Sequence, residues 1–246
     1  EAIGLVAFCF YSKIKIEFSL PLYEKINYSK ENISEVMDEM ALFYRIDDTP
    51  DPESLINFAL NERDDFKVNL AKKDSDNIQM FKEWFDKYKK IIEWDSMYLI
   101  ILKLVDLDLT NKKTKEKFND FIHWIHSEFR YSLIGVVYAL ILFSSIRKKK
   151  MMKYKRKTSI SERKNQIYNM TWDLFQMNDF FRQQQDKKEN QEFLFASDDA
   201  LILDLMRFAI EANKAKSIDV LKKYLIPDEH CLIEKTNEMW SSKIDR

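Results

Sequence analysis

The chain predicts a predominantly helical α/β fold, with a small parallel sheet interrupted by a large helical insertion. Three observations lead there. Two glycines and four prolines in 246 residues are too few for an all-β chain, which needs turn residues about every 8–12 positions. Two short stretches nevertheless have strand character, Lys13–Leu20 and Phe193–Ala196. Between them, residues 53–146 follow helical spacing almost throughout. Strands joined through helices favour parallel pairing. The expected organisation is therefore one α/β domain, residues 1–45 and 150–246, holding a helical insertion at 46–149.

The elements follow in order. Ala2–Tyr11 is apolar and reads as a buried helix or, less well, a strand. In Lys13–Leu20, Ile14, Ile16 and Phe18 alternate with polar neighbours, the period of a strand. Pro21 ends it, and a helix opens that carries Glu24 in its first turn. Ser29–Tyr44 is helical, with Ser34 as a candidate cap. Asp47–Pro52, with two prolines and three acids, is a loop. Pro52–Leu60 starts another helix on a proline. From Ile78, Phe81, Trp84, Phe85, Tyr88, Ile91 and Ile92 recur every three or four residues. Tyr98–Val105, Phe118–Phe129 and Leu133–Ile146 continue the helical run. Ala200–Ala212 and Ser217–Tyr224 are helices, and Cys231–Ile233 is a candidate short strand.

Tyr131–Ile146 is apolar and flanked by arginines, but it is shorter than the ~20 residues a spanning helix needs. It reads as a core helix, and a membrane partner is not expected. Two cysteines make no disulfide framework and suit a reducing, cytoplasmic setting. A net charge of −1 gives no global pull toward nucleic acid. The charge is unevenly spread, however. Arg147–Lys164 holds ten basic residues and one acid, whereas Tyr28–Asp65 holds eleven acids and three basic residues. Lys148, Lys149, Lys150, Lys153, Lys155, Arg156, Lys157, Arg163 and Lys164 can follow a phosphate backbone or form a solvated face.

Residues 164–203 concentrate the candidate chemistry. In the helix near 166–182, Asn169, Asp173 and Gln176 share a face. Asp173 borders the apolar stripe, where a carboxylate is paired, metal-bound or an ordinary surface acid. Phe193–Ala196 then runs into Ser197-Asp198-Asp199 and another helix. Ser197 or Asp198 caps the helix, with the acids matching its dipole, or the two acids offer oxygen to a hard cation such as Mg²⁺ or Mn²⁺. His123 and His126, three apart in FIHWIH, are too few for a zinc signature and read as structural.

The stretch Asn-x3-Asp in a helix, a polar gap, a short apolar strand and Ser-x-Asp-x-Leu opening a helix resembles the C-terminal half of PIN-like nucleases. At the N-terminus, helix, alternating strand, proline and Glu24 resemble the start of that pattern. The resemblance covers about residues 1–28 and 160–210, and it implies a metal-dependent endoribonuclease. Glu24, Asp173 and Asp199 would hold Mg²⁺ or Mn²⁺, with Asp198 as a substitute and Asn169 orienting a ligand or water. The ions would activate water at a phosphodiester, and the 147–164 stretch would hold the RNA backbone. A protein antitoxin or a homo-oligomer is a further implied partner. The family's first strand and first acid would precede residue 2. The residues equally permit a non-catalytic helical interaction module, or a membrane-associated protein anchored by 131–146.

Overall fold

The computed structural model describes residues 2–16, 19–28, 32–47, 52–65, 91–148, 151–153, 159–185 and 191–244, together with Gln79 and Glu83. Among them the chain is helical and contains no strand. The predicted parallel sheet of PIN-like type is therefore not present in the described residues, and each strand candidate has a physical reason for its different fate.

Lys13 takes a left-handed conformation, φ 55°, and closes helix α1 (Ala2–Tyr11). Its N–H donates to the Phe10 carbonyl, and the Ile14 N–H reaches back to Cys9. This is a Schellman end, so the alternation that looked like a strand begins inside a helix terminus. Helix α2 (Ser19–Asn27) then takes up Ser19, Leu20 and Pro21. Proline in the first turn sacrifices no intrahelical bond. Glu24 thus lies beyond the first turn. Cys231–Ile233 falls in helix α10 (His230–Ile244), where Leu232 and Ile233 are buried. Phe193–Ala196 has no regular secondary structure, and no strand pairs with it among the described residues.

The chain divides into two compact units, Glu1–Ile91 and Ile92–Arg246. In the first, α1 packs on α3 (Ile33–Asp47) and α4 (Pro52–Ala59), and α2 packs on α3. Asn32, rather than Ser34, caps α3, accepting from the Ser34 N–H at 3.0 Å. The core gathers Ala7, Leu22, Tyr23, Val36, Met37, Met40 and Leu55. The expected loop around 48–51 and the aromatic series at Phe81–Tyr88 lie outside the described residues.

The second unit is built around one helix. Helix α7 (Leu133–Leu142) buries nine consecutive residues, Ile134–Leu142. A helix apolar on all sides must be surrounded. It is surrounded by α5 (Ile92–Leu109), α6 (Thr114–Ser127), α8 (Ile160–Gln185) and α9 (Ala200–Ala215). Ser132 starts α7, its hydroxyl accepting from the Gly135 N–H at 3.2 Å. Glycine at 135 allows close approach: a Cβ there would lie 3.3 Å from two Ile100 side-chain carbons. The 131–146 stretch is thus core, and no described helix is long and apolar enough to cross a membrane.

Helices α5 and α8 run antiparallel, since Glu93 meets Arg182 (3.2 Å) while Tyr98 meets Tyr168. Their seam is aromatic, with Trp94 against Tyr98, Tyr168 and Trp172. After α9 a 3-10 segment, Ile218–Tyr224, leads through Pro227–Glu229 into α10. Lys216 ends α9 at φ 50°, its N–H and that of Ser217 returning to Asn213 and Ala212. With so few glycines available, a lysine bears the left-handed strain. Lys216→Gly is therefore expected to stabilise the unit by about 0.5–1 kcal/mol, read as a rise of roughly 1–4 °C in the melting temperature.

Candidate functional site

The predicted carboxylates occupy separate structural posts. Asp173, half-buried on α8, pairs with Lys153 in the segment that follows α7. One predicted metal ligand and one predicted phosphate-binding lysine are thus brought together, as partners of each other. Asp199 is the N-cap of α9: its carboxylate accepts from the Leu201 N–H at 2.8 Å, while Ser197 Oγ accepts from the Asp199 N–H at 3.1 Å. Both bonds satisfy donors that the first turn of a helix leaves open, and the carboxylate complements the positive end of the helix. Asp198 is exposed, and so is Asn169. Glu24 is half-buried on α2, in the other unit. Among the described residues, no three His, Cys, Asp or Glu side chains come together in a way that could hold a metal ion.

The basic stretch has a structural use that the sequence did not reveal. Its described residues 147–148 and 151–153 act as a strap, pinned to a different helix at each of three points. Arg147 reaches Asp108 of α5 at 3.1 Å, Lys148 reaches Asp204 of α9 at 2.9 Å, and Lys153 reaches Asp173 of α8. Between these points Met151 is fully buried, and its carbonyl accepts from the Tyr138 hydroxyl of α7. At the start of the strap, the Glu229 carboxylate accepts from both the Ser145 N–H and its hydroxyl, each at 2.7 Å. Lys164 lies over the Tyr168 ring, 5.4 Å from its centroid, and Arg163 is half-buried. Lys149, Lys150, Lys155, Arg156 and Lys157 lie outside the described residues.

Asp108, Asp204 and Glu229 were not singled out by the sequence. Their partners lie 39, 56 and 84 residues away (Arg147 to Asp108, Lys148 to Asp204, Ser145 to Glu229). Periodicity carries no trace of such pairings. The one available signal was the excess of like charge in the strap, which needed acids from somewhere in the fold. His123 is exposed, 4.0 Å from Glu128, and His126 lies beside the Ser127 hydroxyl.

A second polar cluster joins α9 to the C-terminal elements. Glu211 accepts from Lys223 at 2.9 Å and from the Tyr224 hydroxyl at 2.8 Å. These bonds, Lys223 first, hold its carboxyl below the usual range. Lys222, at 2.9 Å, does the same to Asp219, which also accepts from Asn237. A carboxyl depressed by folding stabilises above its unfolded value, and that support disappears as the pH falls through the folded value. Acidification is therefore expected to loosen Ile218–Tyr224 selectively, seen as faster amide exchange there than in α7.

The Phe193–Ala196 segment is the remaining feature. Phe195 packs edge-on against Phe180 of α8, at 5.6 Å between centroids, and Gln184 Nε2 donates to the Phe193 carbonyl at 2.9 Å. Leu194 points away, 70% exposed. Among the described residues, residues 192–198 make no backbone-to-backbone hydrogen bond. No protein family, curated protein or solved structure matches the chain.

Proposed function

We propose that the chain is a helical protein-interaction module whose docking element is the irregular segment Glu192–Asp198. One observation carries this reading: α8 holds the segment by Phe195 and the Phe193 carbonyl, yet among the described residues no backbone group of 192–198 bonds another backbone group. Backbone N–H and C=O groups that no strand uses can take up the backbone of an added strand. Strand addition uses that backbone for affinity and alternate side chains for specificity. Leu194, facing outward, is the side chain a partner would cover.

The expectation of a metal-dependent nuclease rested on acids delivered by a sheet. With Asp173 held by Lys153 and Asp199 by the backbone of α9, both carboxylates of this unit already have structural work. Recruiting them to Mg²⁺ or Mn²⁺ would break an ion pair and open a helix cap.

A photoreactive amino acid at position 194, introduced in the cell that makes the protein, tests the proposal. The expected result is one dominant crosslinked protein, absent when the photoreactive group is moved to position 99 on α5 and suppressed by Ala196→Pro, which removes a backbone donor. Equal crosslinking at both positions would contradict a docking element. Mn²⁺-dependent RNA cleavage that is abolished by Asp173→Asn would contradict the whole reading.

A further inference from the structure

We infer that the segment Glu192–Asp198 recognises a strand of another protein that is apolar in its middle and cationic at both ends. The inference rests on the docking role proposed above and names the partner's chemistry. Exposure alternates along the segment. Phe193, Phe195, Ser197 and Asp199 are half-buried, whereas Glu192, Leu194, Ala196 and Asp198 are exposed. Period two is the pattern of a chain lying with one side down. The inward side is anchored on two helices. Phe195 and the Phe193 carbonyl rest on α8. Asp199 caps α9, and its N–H donates to Ser197 Oγ. A segment anchored in this way gives up little further freedom when a partner is added.

The outward side runs acid, apolar, small, acid: Glu192, Leu194, Ala196, Asp198. Among the described residues, neither Glu192 nor Asp198 has an ion pair, unlike the acids Asp108, Asp173 and Asp204 that hold the strap. Arg182, the last described cation of α8, is already taken up by Glu93 and Asp179. From Asp186 to Asp199 the sequence holds five acids and two lysines, so the local charge is negative. Opposite charges directly across a strand pair stabilise it, and like charges destabilise it. A cation opposite each outer acid is therefore matched, Leu194 takes an apolar neighbour, and Ala196 leaves room for a large one. The same rule works against a second copy of this chain. Antiparallel pairing centred on Phe195 would set Glu192 of one copy against Asp198 of the other, and parallel pairing in register would set each acid against itself. The occupant is thus a basic-ended strand of a different protein.

The test uses the full chain and end-blocked peptides followed by fluorescence anisotropy. Lys-Thr-Leu-Thr-Phe-Thr-Lys sets both cations and both apolar residues on one side of a strand. Its isomer Thr-Lys-Leu-Thr-Phe-Lys-Thr turns the cations to the other side, and a third peptide replaces both lysines of the first by glutamate. The first peptide is expected to bind about tenfold more tightly than either of the others, and to weaken as salt rises. The double variant Glu192→Lys, Asp198→Lys is expected to reverse the preference in favour of the glutamate peptide. Should that variant unfold, Glu192→Lys alone replaces it, with a smaller shift expected. Equal binding of all three peptides, abolished by Ala196→Pro, would overturn the inference and leave the docking role standing. No binding of any peptide would also overturn it, and crosslinking from position 194 then judges the docking role by itself. Dimerisation of the parent chain that Ala196→Pro abolishes would overturn it in favour of a second copy.

Discussion

Leu140→Asp is expected to prevent residues 92–246 from folding. Leu140 is 1% exposed and sits within the nine consecutive buried residues of α7. Helices α5, α6, α8 and α9 all pack on that helix, so no face of it reaches water. A carboxylate there has neither a cation nor solvent. It must take up a proton or drag water inward, and a buried unpaired charge belongs to the few changes that cost more than about 4–5 kcal/mol. That is comparable to the whole stability of an ordinary domain. Circular dichroism and limited proteolysis are expected to show loss of the unit. Leu140→Met, which conserves volume, is expected to cost less than about 1.5 kcal/mol. A folded Leu140→Asp protein would mean that α7 is not enclosed as described.

Met151→Ala is expected to destabilise the same unit by about 2–3 kcal/mol, the low end for removing a buried methionine. Met151 is fully buried although it lies in an irregular segment between charged residues. Its side chain fills the core while its carbonyl takes the Tyr138 hydroxyl. Losing the side chain leaves a cavity and frees the strap, so the pairs made by Lys148 and Lys153 on either side lose their geometry. The melting temperature is expected to fall by roughly 5–10 °C. The surface pairs alone carry little, each less than about 1 kcal/mol. Lys148→Ala is therefore expected to change the melting temperature far less than Met151→Ala, and the reverse order would show that charge rather than burial holds the strap.

The helical elements were legible because their causes are local. Pro52 starts α4, the apolar run from Leu133 forms α7 as far as Leu142, and the spacing of Ile167, Met170, Leu174, Met177 and Phe181 marks the inner side of α8. The strand candidates misled for equally physical reasons. Alternation in Lys13–Leu20 spans a helix end at Lys13 and a helix start at Ser19, two termini that mimic period two. Phe193–Ala196 is not a strand among the described residues: a strand needs a neighbour, and four residues of sequence cannot say whether one exists. The candidate site was legible as residues and not as geometry. Asp173 at the edge of the core could be anticipated, and so could a cap on α9, although Asp199 supplies it rather than Ser197 or Asp198. What decided their roles was Lys153, twenty residues from Asp173, and the backbone of α9. The strap over α5, α8 and α9 was invisible because each of its contacts joins distant segments.

The account turns on whether Asp173 serves the strap or a metal. Thermal unfolding of the full chain and of Asp173→Asn, each with and without millimolar Mn²⁺, separates the two. The account predicts that Asp173→Asn lowers the melting temperature slightly, through loss of the Lys153 pair, and that Mn²⁺ leaves both proteins unchanged. A ligand that binds the native state must raise its stability. A rise with Mn²⁺ in the parent chain that Asp173→Asn removes would place a cation at this carboxylate and contradict the account.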